Sequence, residues 1–306
     1  MTFQNVLNSR YSVGLAQSLG RAVPLPMGYR IADWAGGQIS RLGRTGIVQA
    51  VAANQRVVGG PDLAEAELAR RVRAVFQNTG RCQFDFYHRL GRPEKILAVM
   101  SFSDEFERCL EKVCSTRPGE PGTLLVCPHL SNFELAGQAI ALRGVRPLLL
   151  SFPQPKGGYQ QQNQLRIQAG LETVPTSVEA LRRATRTLET GGVVLTGVDR
   201  PIQGGKYRPM FFDRPASLPV MHVRLAMKLG IPITVIACST LPDGTYRTIV
   251  SDPIPMQPDA DLARGLVRNA EVVLRVIEKW IRQAPEQWSM FYPVWPEISS
   301  APQGEA

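Results

Sequence analysis

The chain has 306 residues, 44% of them hydrophobic and 20% charged, and a formal net charge of +9. Such a composition excludes a disordered or low-complexity chain and leaves room for one or two domains with a sizeable core. The basic balance points to an anionic partner; without zinc-finger spacing, a basic zipper or an RNP-type aromatic motif, it points away from nucleic acid and toward anionic lipid or a phosphate-bearing substrate.

From the N-terminus, "YSVGLAQSLGRAVPLPMGYRIADWAGGQISRLGR" mixes Leu, Val, Met, Trp and Tyr with Arg21, Arg30, Arg41 and Arg44. Arg10 comes just before it, and Asp33 is the one opposing acid. No run approaches the roughly 18 apolar residues of a spanning helix, and no continuous signal-peptide core is present. Tyr29 and Trp34 suit a membrane interface and the arginines suit lipid headgroups. A helix pair packed on the main body accounts for the same pattern.

Helical periodicity continues through "PDLAEAELARRVRAVFQNTGR", with Leu63, Ala66, Leu68, Val72, Val75 and Phe76 on one face, then through "CQFDFYHRLG" and "SFSDEFERCLEKVCSTRPGEPG". The pattern then changes. "TLLVCPH" reads as a buried strand, "SNFELAGQAIALRG" as a helix, "VRPLLLSF" as a strand, and "SVEALRRATRTLETGG" as a helix capped by Ser177. "VVLTGVD" is a strand, and "PVMHVRLAMKLG" a helix with Pro219 near its first turn. "IPITVIACST" and "TYRTIVSDPI" are strands before a long closing helix from "DADLARG" to "APEQW". Strands alternating with helices predict an α/β fold: a central, mostly parallel sheet flanked by helices, behind a helical amphipathic N-terminal segment. The expected division is a helical segment over 1–80 within reach of a membrane interface, an α/β core over 81–298, and a disordered tail over 299–306.

Five cysteines occur without a CxxC pair, which points to reduced thiols in a cytosolic setting and argues against a zinc site; no metal is expected. Three histidines leave few candidates for acid–base chemistry. His129 ends a predicted strand, where sites of parallel sheets gather, and Asp199 ends another. Residues five apart on one helix do not share a face. His129 and Glu134 therefore meet only if His129 lies outside the helix and folds back over its start. A neutral imidazole there could take a proton from a hydroxyl while a carboxylate fixes its tautomer. The competing explanation is a capping box, Ser131 followed three residues later by Glu134. His222 reads as a core histidine, His88 as structural, and Cys127 as core rather than nucleophile.

His129 to Glu134 form H-x-x-x-x-E after a buried strand. This resembles the lipid A biosynthesis acyltransferases of the lauroyl/myristoyl type and the related phosphatidylinositol mannoside acyltransferases, within the wider glycerolipid acyltransferase superfamily. "AANQRVVGG", "QNQLRIQAGLETVP", "LETGGVVLTGVDRP", "MFFDRPASLPVMHVRLAMKLGIPI" and "APEQWSMFYPVW" match family segments in order, with Asp213 where glycine is usual. The resemblance implies transfer of a fatty acyl chain from an acyl-CoA or acyl carrier protein thioester to a hydroxyl of a glycolipid or phospholipid-like acceptor. His129 would be general base, oriented by Glu134, with direct attack and no acyl-enzyme. Arg166, Asp199 and Arg200 would bind substrate, and no cofactor is needed. The expected location is the cytoplasmic face of the cell membrane, held peripherally on anionic lipid. A non-catalytic lipid-binding or transfer protein and an acyl-thioester hydrolase are the other readings.

Overall fold

The computed structural model describes residues 20–299 except 118, 154 and 156, and before them only Gly14, Gln17 and Ser18. Arg10 and the tail from residue 300 onward lie outside the described residues.

After a few helical residues up to Ala22 come three helices: α1 (Leu25–Ser40), α2 (Gly46–Gly59) and α3 (Glu65–Arg89). The last runs straight through residue 80. Small residues let α1 approach α3 closely, because a Cβ on Gly28 would lie 2.0 Å from the Phe84 ring. The inner face of α1 buries Gly28, Ala32 and Gly36. Its outer face exposes Met27, Ile31 and Trp34, the last 68% accessible, beside the exposed Arg30.

After α4 (Pro93–Leu97) comes a short strand, β1 (Met100–Phe102), inside a stretch whose periodicity predicts helix alone. The helix α5 (Asp104–Ser115) follows, with the Ser103 hydroxyl accepting from the Phe106 amide. The α/β succession is β2 (Thr123–Cys127), α6 (Phe133–Leu142), β3 (Leu148–Ser151), α7 (Gly158–Gln168), β4 (Glu172–Pro175), α8 (Val178–Glu189) and β5 (Val193–Gly197). A hairpin of β6 (Met210–Phe211) and β7 (Arg214–Pro215) precedes α9 (Met221–Leu229), β8 (Ile233–Thr240), β9 (Tyr246–Val250), α10 (Leu262–Gln283) and α11 (Pro296–Ser299). Ser177 caps α8 as expected, accepting from the Ala180 amide at 3.1 Å.

The main sheet has the order β1-β9-β8-β2-β5-β3-β4. Every neighbouring pair is parallel except β8 and β9. Both faces of β2 are covered, which is why its apolar residues run consecutively rather than alternating. Leu124 and Val126 join a core with Val223 of α9 and Val273 and Ile277 of α10. Leu125 points to the other face, with Phe106, Ile140 and Leu195.

The chain leaves β2 toward β3 on one side and leaves β5 toward β8 on the other. The crevice between the carboxyl ends of these adjacent strands is a topological switch point, where ligands of open α/β sheets bind.

Asp213 has φ of 57° in the β6–β7 turn. Left-handed backbone is what glycine supplies at no steric cost and what Asp adopts more readily than most residues. This accounts for a side chain standing where the family usually has glycine.

Candidate active site

Register builds the centre of the site. Cys127 of β2 pairs with Gly197 of β5, so the second residue beyond each strand, His129 and Asp199, arrive side by side. His129 Nδ1 lies 2.6 Å from Asp199 Oδ1. The His129 backbone amide and the Trp288 indole each donate to Asp199 Oδ2 at 2.8 Å. Asp199 is fully buried. Burial works against its charge, but the imidazole beside it and these donated hydrogen bonds prevail and hold the carboxyl below its ordinary range. An ionised Asp199 accepts from Nδ1–H and leaves Nε2 of His129 as the basic nitrogen. The imidazole lies over Gly197, where a Cβ would sit 3.1 Å from His129 Cε1. Phe133 meets the ring edge-on, with centroids 5.0 Å apart.

Glu134 does not take the place expected for it against His129. It starts α6, and its carboxylate faces Arg166, which donates from Nε to Oε2 at 3.0 Å and through a second, short Nη2 contact to Oε1. The reason is geometric. The turn from strand to helix hands His129 to the neighbouring strand, while α6 aims its first turn at α7. Arg166 lies in the last turn of α7 rather than in an open turn, and it also donates to Asn163 Oδ1. Burial disfavours the guanidinium, and the Glu134 charge more than restores it.

The capping-box explanation of Ser131 and Glu134 also fails. The N-cap of α6 is Asn132, whose side chain accepts from the Leu135 amide. Ser131 instead has φ of 52°, a strained conformation of the kind that gathers at functional sites. Its hydroxyl lies 2.6 Å from the Thr240 hydroxyl and its amide donates to the Gln287 carbonyl.

The C-terminal "EQWS" therefore belongs to the site, although sequence reasoning took it only as a matching segment. Ser289 N–H donates to the His129 carbonyl, and Leu130 bridges Trp288. Trp288 is locked by Phe211, Phe212 and Trp295. A buried indole needs an acceptor, and that need was the available signal.

Arg200 follows Asp199. Its guanidinium lies 4.0 Å from the ring centroids of both Phe152 and Tyr292, and donates to the Tyr159 hydroxyl at 2.8 Å. No carboxylate pairs with it among the described residues. His129, Glu134, Arg166 and Arg200 line one cavity of about 590 Å³, which Ile31, Ala35, Ile39 and Phe76 of α1 and α3 also line. Burial, then Asp199, pushes the Cys127 thiol up to about 12, which favours its reading as core over nucleophile. His222 is core, as expected, and burial lowers it to about 3. His88 Nδ1 lies 2.8 Å from the Gly20 carbonyl, in a structural role. Among the described residues no cluster of metal-ligating side chains occurs.

The family model for bacterial lipid A biosynthesis acyltransferase matches residues 15–297. Among solved structures, the crystal structure of the 1-acyl-sn-glycerophosphate (LPA) acyltransferase PlsC from Thermotoga maritima is 13% identical. The match covers 84% of this chain and 98% of that one with a TM-score of 0.35, an overlap too slight to argue from. No curated protein matches this chain.

Proposed function

This chain belongs to the bacterial lipid A biosynthesis acyltransferase family, and from that premise we propose that it moves a fatty acyl group from an acyl-CoA or acyl carrier protein thioester to a lipid hydroxyl, with His129 as general base and Asp199 as its orienting carboxylate. The observation that carries this reading is the His129 Nδ1 to Asp199 contact of 2.6 Å beside a cavity lined by both polar and apolar side chains. Nε2 accepts the proton of the acceptor hydroxyl. The oxygen attacks the thioester carbonyl, and collapse of the oxyanion breaks the C–S bond. The proton passes from the imidazolium to the departing thiolate, and Asp199 stabilises the imidazolium in between. The apolar lining accepts the acyl chain. Arg200, held flat between two rings without a carboxylate, suits a phosphate on donor or acceptor.

The deciding experiment compares thioester consumption with and without lipid acceptor. Wild type should be strongly acceptor-dependent, and His129→Ala should lose transfer while still binding thioester. Acceptor-independent consumption would make the protein a hydrolase; no consumption would leave a lipid-binding protein.

Attachment to the cytoplasmic membrane face is proposed to be peripheral. No described helix is long and apolar enough to cross a membrane, and Met27, Arg30, Ile31 and Trp34 share the outer face of α1. Binding to anionic vesicles should weaken as salt shortens the screening length toward a few Å. Salt-indifferent sedimentation would remove the electrostatic part.

A further inference from the structure

The polar wall of the cavity holds an amide that the protein leaves unused. Gln162 lines the cavity, and its side chain makes no hydrogen bond at either end; its Nε2 is buried without an acceptor among the described residues. Leaving a buried N–H unpaired is costly. Such a group in a native site calls for an explanation.

Two contacts locate it. Tyr159, Gln162 and Arg166 follow one another at spacings of three and four along α7, so they share a helix face. Arg166 is bound to Glu134, next to the Phe133 that meets the imidazole edge-on. Tyr159 is bound to Arg200, next to the Asp199 that holds the same imidazole. Gln162 lies between these anchors on the helix face and lines the same cavity as His129. The last torsion of a glutamine is broad, so a turn about that bond brings the NH₂ into the cavity without moving α7.

The neighbouring donors are taken. The Arg166 guanidinium is engaged by Glu134 and Asn163, the Tyr159 hydroxyl by Arg200 and Tyr292, the Asn132 amide by the Cys82 carbonyl, and the Ser131 hydroxyl by Thr240. Arg200 keeps free N–H groups but is clamped between rings. Direct attack on a thioester places negative charge on the carbonyl oxygen, which a hydrogen-bond donor held out of water beside it stabilises.

We infer that Gln162 is that donor: its side-chain NH₂ hydrogen-bonds the thioester carbonyl oxygen as it becomes the oxyanion, opposite the His129 base. The inference rests on the reading of His129 as base. No proton is transferred, so Gln162 is unchanged over the cycle.

The test uses the full chain with whichever thioester, acyl-CoA or acyl carrier protein, wild type turns over. Gln162→Met keeps the length and loses the donor, and Gln162→Leu is the second variant should Met alter folding. Both should lower kcat about a hundredfold, the general scale for losing one such donor. KM for thioester and acceptor should stay nearly constant, as should the affinity for a thioether analogue lacking the carbonyl oxygen. Gln164→Leu, exposed on the other side of α7, should be silent. An unchanged kcat, or a loss confined to either KM, overturns the inference. If His129→Ala is inactive while Gln162→Met is normal, only the donor assignment falls; if His129→Ala is active, the base assignment falls with it.

Discussion

Two buried acid–base pairs stand side by side in the cavity, and they do different work. Asp199 and His129 come from adjacent strand ends; Glu134 and Arg166 come from facing helices. In the first pair the partner is an imidazole with one nitrogen left for chemistry. In the second, both carboxylate oxygens of Glu134 and every nitrogen of the Arg166 side chain are committed to partners within the protein. The difference teaches that the Glu of H-x-x-x-x-E ties α6 to α7, while the strand pairing delivers a carboxylate to the imidazole proposed as base.

The sharpest way to break that comparison is to neutralise each carboxylate. Asp199→Asn should cut turnover about a hundredfold or more, since the amide no longer stabilises the imidazolium and favours the wrong tautomer. Glu134→Gln should act first on stability. It leaves the Arg166 charge buried without compensation, and removing one partner of a buried pair costs about 3–5 kcal/mol, less here because Gln still accepts one hydrogen bond. Adding Arg166→Gln to Glu134→Gln should recover much of the lost melting temperature, whereas no change at His129 rescues Asp199→Asn. A stable, hundredfold slower Glu134→Gln beside an active Asp199→Asn would return Glu134 to the imidazole.

Much of this fold was legible because the buried strands have unbroken apolar runs and the helices have capped, periodic ones. Thr123–Cys127, Val193–Gly197 and Ile233–Thr240 lie where those apolar runs put them. The short β1 was hidden because three residues carry no usable period, and α7 because its polar face belongs to the cavity rather than to water. The site was legible as a set of residues. Its pairing was not, since sequence distance favours Glu134 over Asp199, seventy positions away. Only the register of β2 against β5 reverses that order. Strands ending "CPH" and "GVD" contain this register once they are known to be neighbours, but no local rule says that they are.

A smaller effect sharpens the role of the strand-end pair. Trp288→Phe keeps the aromatic packing against Phe211 and Trp295 but removes the indole donor to Asp199. Hydrogen bonds to charged groups contribute about 1.5–3 kcal/mol, and Asp199 retains two other donors. Turnover should fall by roughly tenfold, and melting should shift by a few degrees. An activity loss as large as that of Asp199→Asn would mean that Trp288 shapes the cavity itself and not only the carboxylate.

The last prediction concerns pH dependence, and it separates the site from the core. Asp199 is ionised more easily folded than unfolded, so its stabilisation is present above its ordinary value of 3.8 and is lost only as pH falls through its lower folded value. His222 behaves differently. Burial lowers it from 6.5 to about 3, so the unfolded chain takes up that proton first. Stability is complete above pH 6.5 and drains away as pH falls from 6.5 toward 3, by up to about 1.4 kcal/mol per pH unit. Between 6.5 and 4.5, above the range where the paired glutamates begin to contribute, a loss of stability reports His222 and not Asp199. Its Nε2 meets no partner among the described residues, so His222→Met sacrifices no hydrogen bond at that atom. Chemical denaturation at steps through this window should show a flatter curve for His222→Met than for wild type, with Asp199→Asn following wild type. If Asp199→Asn steepens the loss above pH 3.8 instead, the folded carboxyl takes up a proton there that the unfolded chain does not, and the strand-end pair is not the charged dyad on which the proposed mechanism depends.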